Sequence, residues 1–360
     1  MANLWFHFFF SMFTILCYLI ISPTLCQTNF TKNDELALLA FKNSVGDPFN
    51  HLANWSNSSF ICNWVGVTCD ANGERVSVLN LADTSLKGTL PSQVGNLSSL
   101  VELDLHSNNF HGELPKELLQ LHKLKILNLS SNEFHGKIPA WIGSLFSLQQ
   151  IIFRNNSFKG VIPPSVSNLS KLEMLDWNDN FIHGSIPLAI GRLQHLKILR
   201  IAGNNLSGKI PPTISGLSSL ELMSLSYNSL IGDIPNEIAN LTNLRIIYLG
   251  QNQLFDYIPR SIGSLISLQE LDLGSNNLQG DIPEDMGKLD MLQELYLDHN
   301  NLQGNIPQTI GYLTNLKIIY LAANKLFGQI PRNIGNLTKL QELGLGENNI
   351  EGTLSTDHNM

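Results

Sequence analysis

Apolar positions return along this chain with a fixed period of 24 residues. Leu100, Leu124, Leu148, Leu172, Leu196, Leu220, Leu244, Leu268, Leu292, Leu316 and Leu340 form the series, and Val76 extends it backward. Within each unit the pattern is Leu-x-x-Leu-x-Leu-x-x-Asn-x-Leu-x-Gly-x-Ile-Pro-x-x-Ile-Gly-x-Leu, as in LQELDLGSNNLQGDIPEDMGKLDM from Leu268 to Met291. Eleven full coils and a partial twelfth fit without a change of register. The alternation Leu271-Asp272-Leu273 has period two, which predicts a short strand with one side buried and one in solvent. Asn276 follows at the turn, with Thr84 the one substitute in its series. Such amides, buried between stacked coils, satisfy backbone groups as a ladder. Gly280 suits a turn of positive φ, a position where coil eight carries Asp256 instead. Pro283 and its counterparts from Pro91 to Pro331 favour an extended return segment over a long helix. No single coil seals its own apolar side, so stability comes from stacking.

The two ends break the pattern differently. Asp34 to Val45 has helical spacing through Leu36, Leu39 and Ala40, with acids read as its first turn. Trp55, Trp64, Val67 and a Cys62–Cys69 loop follow, so residues 27–75 read as a cap over the first coil. The repeats occupy 76–354 and a tail 355–360 follows. No second cap is recognisable after Leu354, where Ser355 stands in place of proline, so the chain reads as incomplete. Leu4 to Ile21 is almost wholly apolar and predicts a secretory signal peptide over 1–26, cut after Cys26. An uncleaved anchor helix is the alternative, the run being near the ~18-residue lower limit for spanning.

Composition narrows the partners. Lys plus Arg total 22 against 30 Asp plus Glu, net −8, which argues against nucleic acid and against an anionic lipid surface. Cys17 and Cys26 fall in the leading segment, leaving one close pair. Two thiols without histidine do not make a four-ligand zinc site, so in an oxidising compartment Cys62 and Cys69 read as a disulfide. Ten Asn-x-Ser/Thr sequons point the same way: Asn29, Asn54, Asn57, Asn96, Asn128, Asn155, Asn168, Asn205, Asn240 and Asn336. No spacing of His, Cys, Asp or Glu along the chain marks a metal or cofactor site.

Cap and coils together resemble the extracellular region of plant leucine-rich-repeat receptor-like kinases, with an immune-receptor cast. The carrying residues are Asp34-Glu35-x-Ala37-Leu38-Leu39-Ala40-Phe41-Lys42, Asp47-Pro48, Leu52, Trp55 and Cys62-x-Trp64-x-Gly66-Val67-x-Cys69, with the Leu-x-Gly-x-Ile-Pro core of each coil. The resemblance implies an α/β leucine-rich-repeat solenoid, a curved superhelix with a parallel sheet on its concave face and an N-terminal disulfide cap. It implies an extracellular or outer-face location, a peptide or protein ligand, and a co-receptor kinase of the same repeat type. Its members continue into a transmembrane helix and a Ser/Thr kinase. No Gly-rich phosphate loop, His-Arg-Asp or Asp-Phe-Gly motif occurs in this chain, so the reading is not an enzyme. A secreted inhibitor of microbial cell-wall-degrading enzymes is the alternative use of this repeat.

Twelve strands at ~4.8 Å spacing make a face roughly 50 Å long, suited to an extended peptide rather than a small metabolite. The solvent-facing row at the strand centres runs Asn80, Asp104, Asn128, Ile152, Asp176, Arg200, Ser224, Tyr248, Asp272, Tyr296, Tyr320 and Gly344. Its aromatics fall late, with Tyr227, Asp298 and His299 just past the strands of the same region. Tyr227, Tyr248, Asp272, Tyr296, Asp298, His299 and Tyr320 are therefore the candidate ligand residues, with Glu270 and Glu294 beside them. The acids suggest a ligand bearing positive charge. Sugars on Asn128 and Asn155 would cover the earlier coils, which again favours coils seven to eleven.

Overall fold

The computed structural model describes residues 23–56 and 59–352, with side chains from residue 32 onward. Most of the expected signal segment (1–22), Asn57 and the tail therefore lie outside the described residues. Among the described residues, no helix is long and apolar enough to cross a membrane.

The cap begins with helix α1, Pro23–Ser44. It starts well before Asp34, so its first turn carries no acid, contrary to the expectation from sequence. The buried face is also different. Asp34, Ala37, Leu38 and Phe41 point inward, whereas Leu36 is 56% exposed. The inward spacing of three, four and seven residues is one helical stripe. The polar member selects that stripe. Asp34 is fully buried and grips Arg75 through two bonds, Oδ1 to Nη2 at 2.9 Å and Oδ2 to Nε at 3.0 Å. Its Oδ2 also accepts the Val76 N–H at 2.9 Å, which ties the helix to the first strand of the repeats. Trp55 stacks on Trp64 with centroids 5.4 Å apart, and Cys62 is disulfide-bonded to Cys69. Strand Val67–Cys69 then pairs antiparallel with Val76–Asn80 and joins the repeat sheet.

Among the described residues, two thirteen-stranded sheets run along the stack of coils. The concave sheet has twelve parallel strands in perfect register plus the cap strand, as in Tyr248↔Asp272, Asp272↔Tyr296 and Tyr296↔Tyr320. The second sheet, from Lys87–Thr89 to Asn349–Glu351 with Val45–Gly46 at its edge, is not in the sequence reading. Its signal is the second alternation after the asparagine, where Leu278 is buried between exposed Asn277 and Gln279. The return segment also differs. After an extended proline, Pro283 at φ −61 and ψ 134, the chain turns through a 3-10 helix, Glu284–Lys288, repeated in every full coil. Proline fits there because a first-turn N–H has no partner within the helix. The turn position is as expected: Gly280 has φ +76, and Asp256 adopts the same positive φ of 76.

Asparagines bind the coils together. Asn276 donates to the carbonyls of Leu249, Leu273 and Gly274 at 3.0, 3.1 and 3.2 Å, and its oxygen accepts the Leu254 N–H at 3.0 Å. One side chain thus satisfies four backbone groups, two of them in the preceding coil. An aromatic spine adds bulk to the early coils, with Phe110, Phe134 and Phe158 stacked at 6.1 and 6.3 Å. Trp177 is fully buried, as its place in the consensus predicts, and stacks on Phe153.

Replacing Asn252 by Ala takes a partner from the Leu225, Leu249 and Gly250 carbonyls and from the Leu230 N–H, of which the Gly250 carbonyl keeps the Tyr227 N–H. Buried polar groups left alone cost about 1–3 kcal/mol each. We expect Asn252→Ala to lower unfolding free energy in urea by roughly 3 kcal/mol or more, and the exposed neighbour Gln253→Ala to stay within about 0.5 kcal/mol. Asp34→Ala leaves Arg75 facing a buried, empty position. A drop of about 3–5 kcal/mol is expected, read by denaturation followed through cap tryptophan fluorescence.

Candidate ligand-binding face

The concave face divides into two electrostatic halves. In the early coils charges meet partners within the face. His106 Nδ1 lies 2.8 Å from Asp104 Oδ1, and its Nε2 is 3.3 Å from Asp83. Glu173 pairs with Lys197 at 2.8 Å. Asp176, expected in solvent, is only 2% exposed and lies 3.5 Å from Arg200. Ser224 is likewise buried rather than solvent-facing.

The later half keeps one such pair, Glu221 with Arg245 at 3.9 Å, but its strand centres are tyrosines and carboxylates. Each of the three strand tyrosines donates its hydroxyl to a glutamate of the neighbouring row: Tyr248 to Glu270, Tyr296 to Glu294 at 2.9 Å, and Tyr320 to Glu342. The anchors lay the rings along the sheet, and Tyr296 meets Tyr320 with centroids 5.6 Å apart. Burial, then the Glu270 contact, pushes the Tyr248 phenol well above its usual range, and burial followed by Glu294 does the same at Tyr296. At exposed Tyr320 the hydrogen bond to Glu342 is the larger cause of a raised value.

Between these rings lies an open depression of about 310 Å³, with Tyr227, Tyr248 and Tyr296 as walls and Asp272 and Asp298 inside. Gly250 and Gly274 form part of its lining, and both escaped the sequence reading. A Cβ at Gly250 would come within 2.6 Å of the Asp272 carboxylate, so a side chain there would displace it. Their signal is weak and positional: no earlier coil has glycine at this register, which reads Ala82, His106, Ser130, Arg154, Asn178, Ala202 and Ser226. The Gly274 N–H donates to Asp272 Oδ1 at 2.9 Å. Burial raises the Asp272 pKa above the ordinary 3.8 and Asp298 adds to it, against the lowering effect of the Gly274 N–H. Asp272 has no cationic partner among the described residues. His299 is exposed, at the rim, with Nδ1 2.8 Å from Asp298 Oδ2. Tyr227 is 66% exposed and holds a positive φ of 55. Five of the seven candidate residues line one depression, and Tyr320 and His299 each touch one of the five.

The sequons spread over several surfaces. Asn96, Asn168, Asn240 and Asn336 end their 3-10 segments, exposed and away from the concave strands. Asn205 is exposed on the second sheet, and Asn155 is exposed just past its strand. Asn128 is different. Its amide donates to Asp104 at 3.2 Å while its oxygen accepts from Ser130, so the side chain is turned into the face. This weakens the argument that a sugar there covers the early coils. Asn54 is similarly engaged, donating to the Asn63 carbonyl at 3.0 Å and accepting from Val65. The Asn29 side chain and Asn57 lie outside the described residues.

Comparison with known proteins matches a leucine rich repeat N-terminal domain over residues 31–70 and a leucine-rich repeat region over 151–279 and 250–353. Further leucine rich repeats match 99–121 and 123–145. The LRR receptor-like serine/threonine-protein kinase EFR of Arabidopsis thaliana is 36% identical over 115 residues, 31% of this chain and 11% of that protein. The solved complex PEPR1-AtPEP1 is similar with TM-score 0.80 and 34% identity, covering 89% of this chain and 49% of that one. The Arabidopsis receptor kinase HAESA, solved with the peptide hormone IDA and the co-receptor SERK1, has TM-score 0.70 and 30% identity, covering 88% and 62%. The chain thus spans about half of the PEPR1 structure and a smaller share of the EFR kinase.

A carboxyl whose folded pKa is raised binds its proton more tightly in the folded state, so its favourable contribution is lost as pH rises through that value. Ionised Asp272 is therefore a net cost to stability at neutral pH. Asp272→Asn, which keeps an oxygen for the Gly274 N–H, should leave the melting temperature at pH 7 unchanged or higher. The difference should vanish as pH falls below the ordinary value of 3.8, measured by thermal scans across pH.

Proposed function

Because this chain belongs to the leucine-rich-repeat family, with the cap and coils of plant receptor ectodomains, we propose that it recognises an extended peptide along coils seven to eleven of its concave face. The observation that carries this reading is the depression at Asp272. A desolvated carboxylate without a cation, walled in part by Tyr248 and Tyr296, whose hydroxyls are already anchored, is a prepared seat for a basic side chain. Aromatic faces attract cations by their negative quadrupole, and a buried charge gains most from a partner that completes it. Rings fixed before binding lose little freedom when the ligand arrives.

The proposal extends to the ligand's surroundings. An apolar leading segment, a disulfide and ten sequons support entry to the secretory route and residence at the outer face of the cell. Residues 27–75 act as the cap and 76–354 as the recognition array. The chain serves as a binding surface in defence or developmental signalling rather than as an enzyme, and a co-receptor of the same repeat type is its second partner. Similarity to PEPR1-AtPEP1 and to HAESA with IDA and SERK1 supports peptide and co-receptor over an inhibitor of microbial enzymes.

Screening the secreted chain against a random extended-peptide library should enrich sequences with a fixed Arg or Lys. Tyr248→Ala and Tyr296→Ala should each weaken a selected peptide about 30-fold, the loss of roughly 2 kcal/mol at a hot spot. Affinity should also fall as pH drops through the Asp272 titration, because a protonated carboxyl no longer pairs with the cation. Peptides that bind equally well to both tyrosine variants would overturn the placement.

A further inference from the structure

On another flank of the same coils, between the second sheet and the 3-10 turns of coils eight to eleven, runs a groove of about 1260 Å³. One wall is the row Tyr257, Asp281, Asn305 and Gln329, and the other is Arg260, Glu284, Gln308 and Arg332. Together the walls carry two cations, Arg260 and Arg332, and two carboxylates, Asp281 and Glu284, so they have no net charge. Its floor is the Ile-Pro elbow of each coil, with Ile258, Ile282 and Ile306 only 2–3% exposed.

We propose that this groove binds a neutral oligosaccharide. The carboxamides of Gln303, Asn305, Gln308 and Gln329 line it and make no side-chain hydrogen bond within the described residues. Each offers a donor and an acceptor on one plane, the combination that matches vicinal hydroxyls, which also give and receive. Tyr257, 62% exposed, sets a ring edge against Gly280, where any Cβ would fall 2.2 Å from a ring carbon. Such a fixed aromatic face is a platform for the C–H face of a sugar ring. A second exposed ring, Tyr312, borders the same groove.

Two features set this stretch apart. Tyr257 follows Asp256, the one position where the coil's glycine is replaced while positive φ is kept, a conformation that costs an L-residue about 1–2 kcal/mol. Neither Asn305 nor Asn333 of the groove is in a sequon, so the groove carries no glycan attachment point of its own. A peptide fits less well. The strands flanking the groove are paired on both edges, and Ile258, Ile282 and Ile306 close its floor over three of the four coils. Four coils at ~4.8 Å set a length of roughly 15–20 Å, that of a short oligosaccharide.

The test uses the secreted chain, enzymatically deglycosylated, with cellotetraose, chitotetraose and maltotetraose as neutral probes and trigalacturonate as the acidic one. Saturation-transfer NMR should show contact with at least one neutral tetrasaccharide. Tyr257→Ala and the exposed Gln303→Ala should each weaken that probe tenfold or more by calorimetry, while Asp272→Asn leaves it unchanged. No transfer to any neutral probe, a preference for trigalacturonate, or full affinity in both groove variants would overturn the proposal. Peptide binding on the concave face is read separately, through Asp272, so the two proposals stand or fall apart.

Discussion

The asparagine that crosses from each coil to the one before is the interaction on which this molecule depends. Asn276 leaves no freedom of register: its amide and oxygen are spent on named backbone groups of two coils. A slip of one residue would strand all of them inside the stack. Strict register is what turns a repeated sequence into rows, and rows turn scattered residues into a surface. Tyr248, Asp272, Tyr296 and Tyr320 become neighbours because nothing between them is added or lost.

Given those rows, the two halves of the concave face do opposite things with charge. The early coils neutralise themselves, through Asp104 with His106 and Glu173 with Lys197. The later coils withhold a partner from Asp272 and bury it behind tyrosines. That arrangement opposes folding, and it is the tension expected of the binding site we propose there.

Sequence made the coils, the strand row and the disulfide legible because each depends on a local, repeated rule. Asp104, Asp272 and Tyr296 could be aligned by counting alone. What counting missed has non-local causes. The face of α1 is chosen by Asp34 reaching Arg75, far along the chain, and Leu36 is left outside as a result. Asp176 is covered by its neighbours, not by its own position in the motif. The second sheet is written in an alternation only three to five residues long, which the proline that follows makes easy to overlook. Gly250 and Gly274 carry no chemistry themselves, and only the proximity of the Asp272 carboxylate shows what their missing side chains allow.

The asparagine bonds also have a direction. The Leu254 N–H waits for the oxygen of Asn276, as Leu230 waits for Asn252, so every turn is completed by residues that follow it in sequence. The cap, tied to Val76 by Asp34, is first in that order. A ribosome delivers the chain in the same sense, amino end first. During synthesis the growing stack would carry one incomplete turn at its advancing edge, and each newly emerged asparagine would close it. A stack assembled in that order would close its ladder from the amino end, one asparagine at a time.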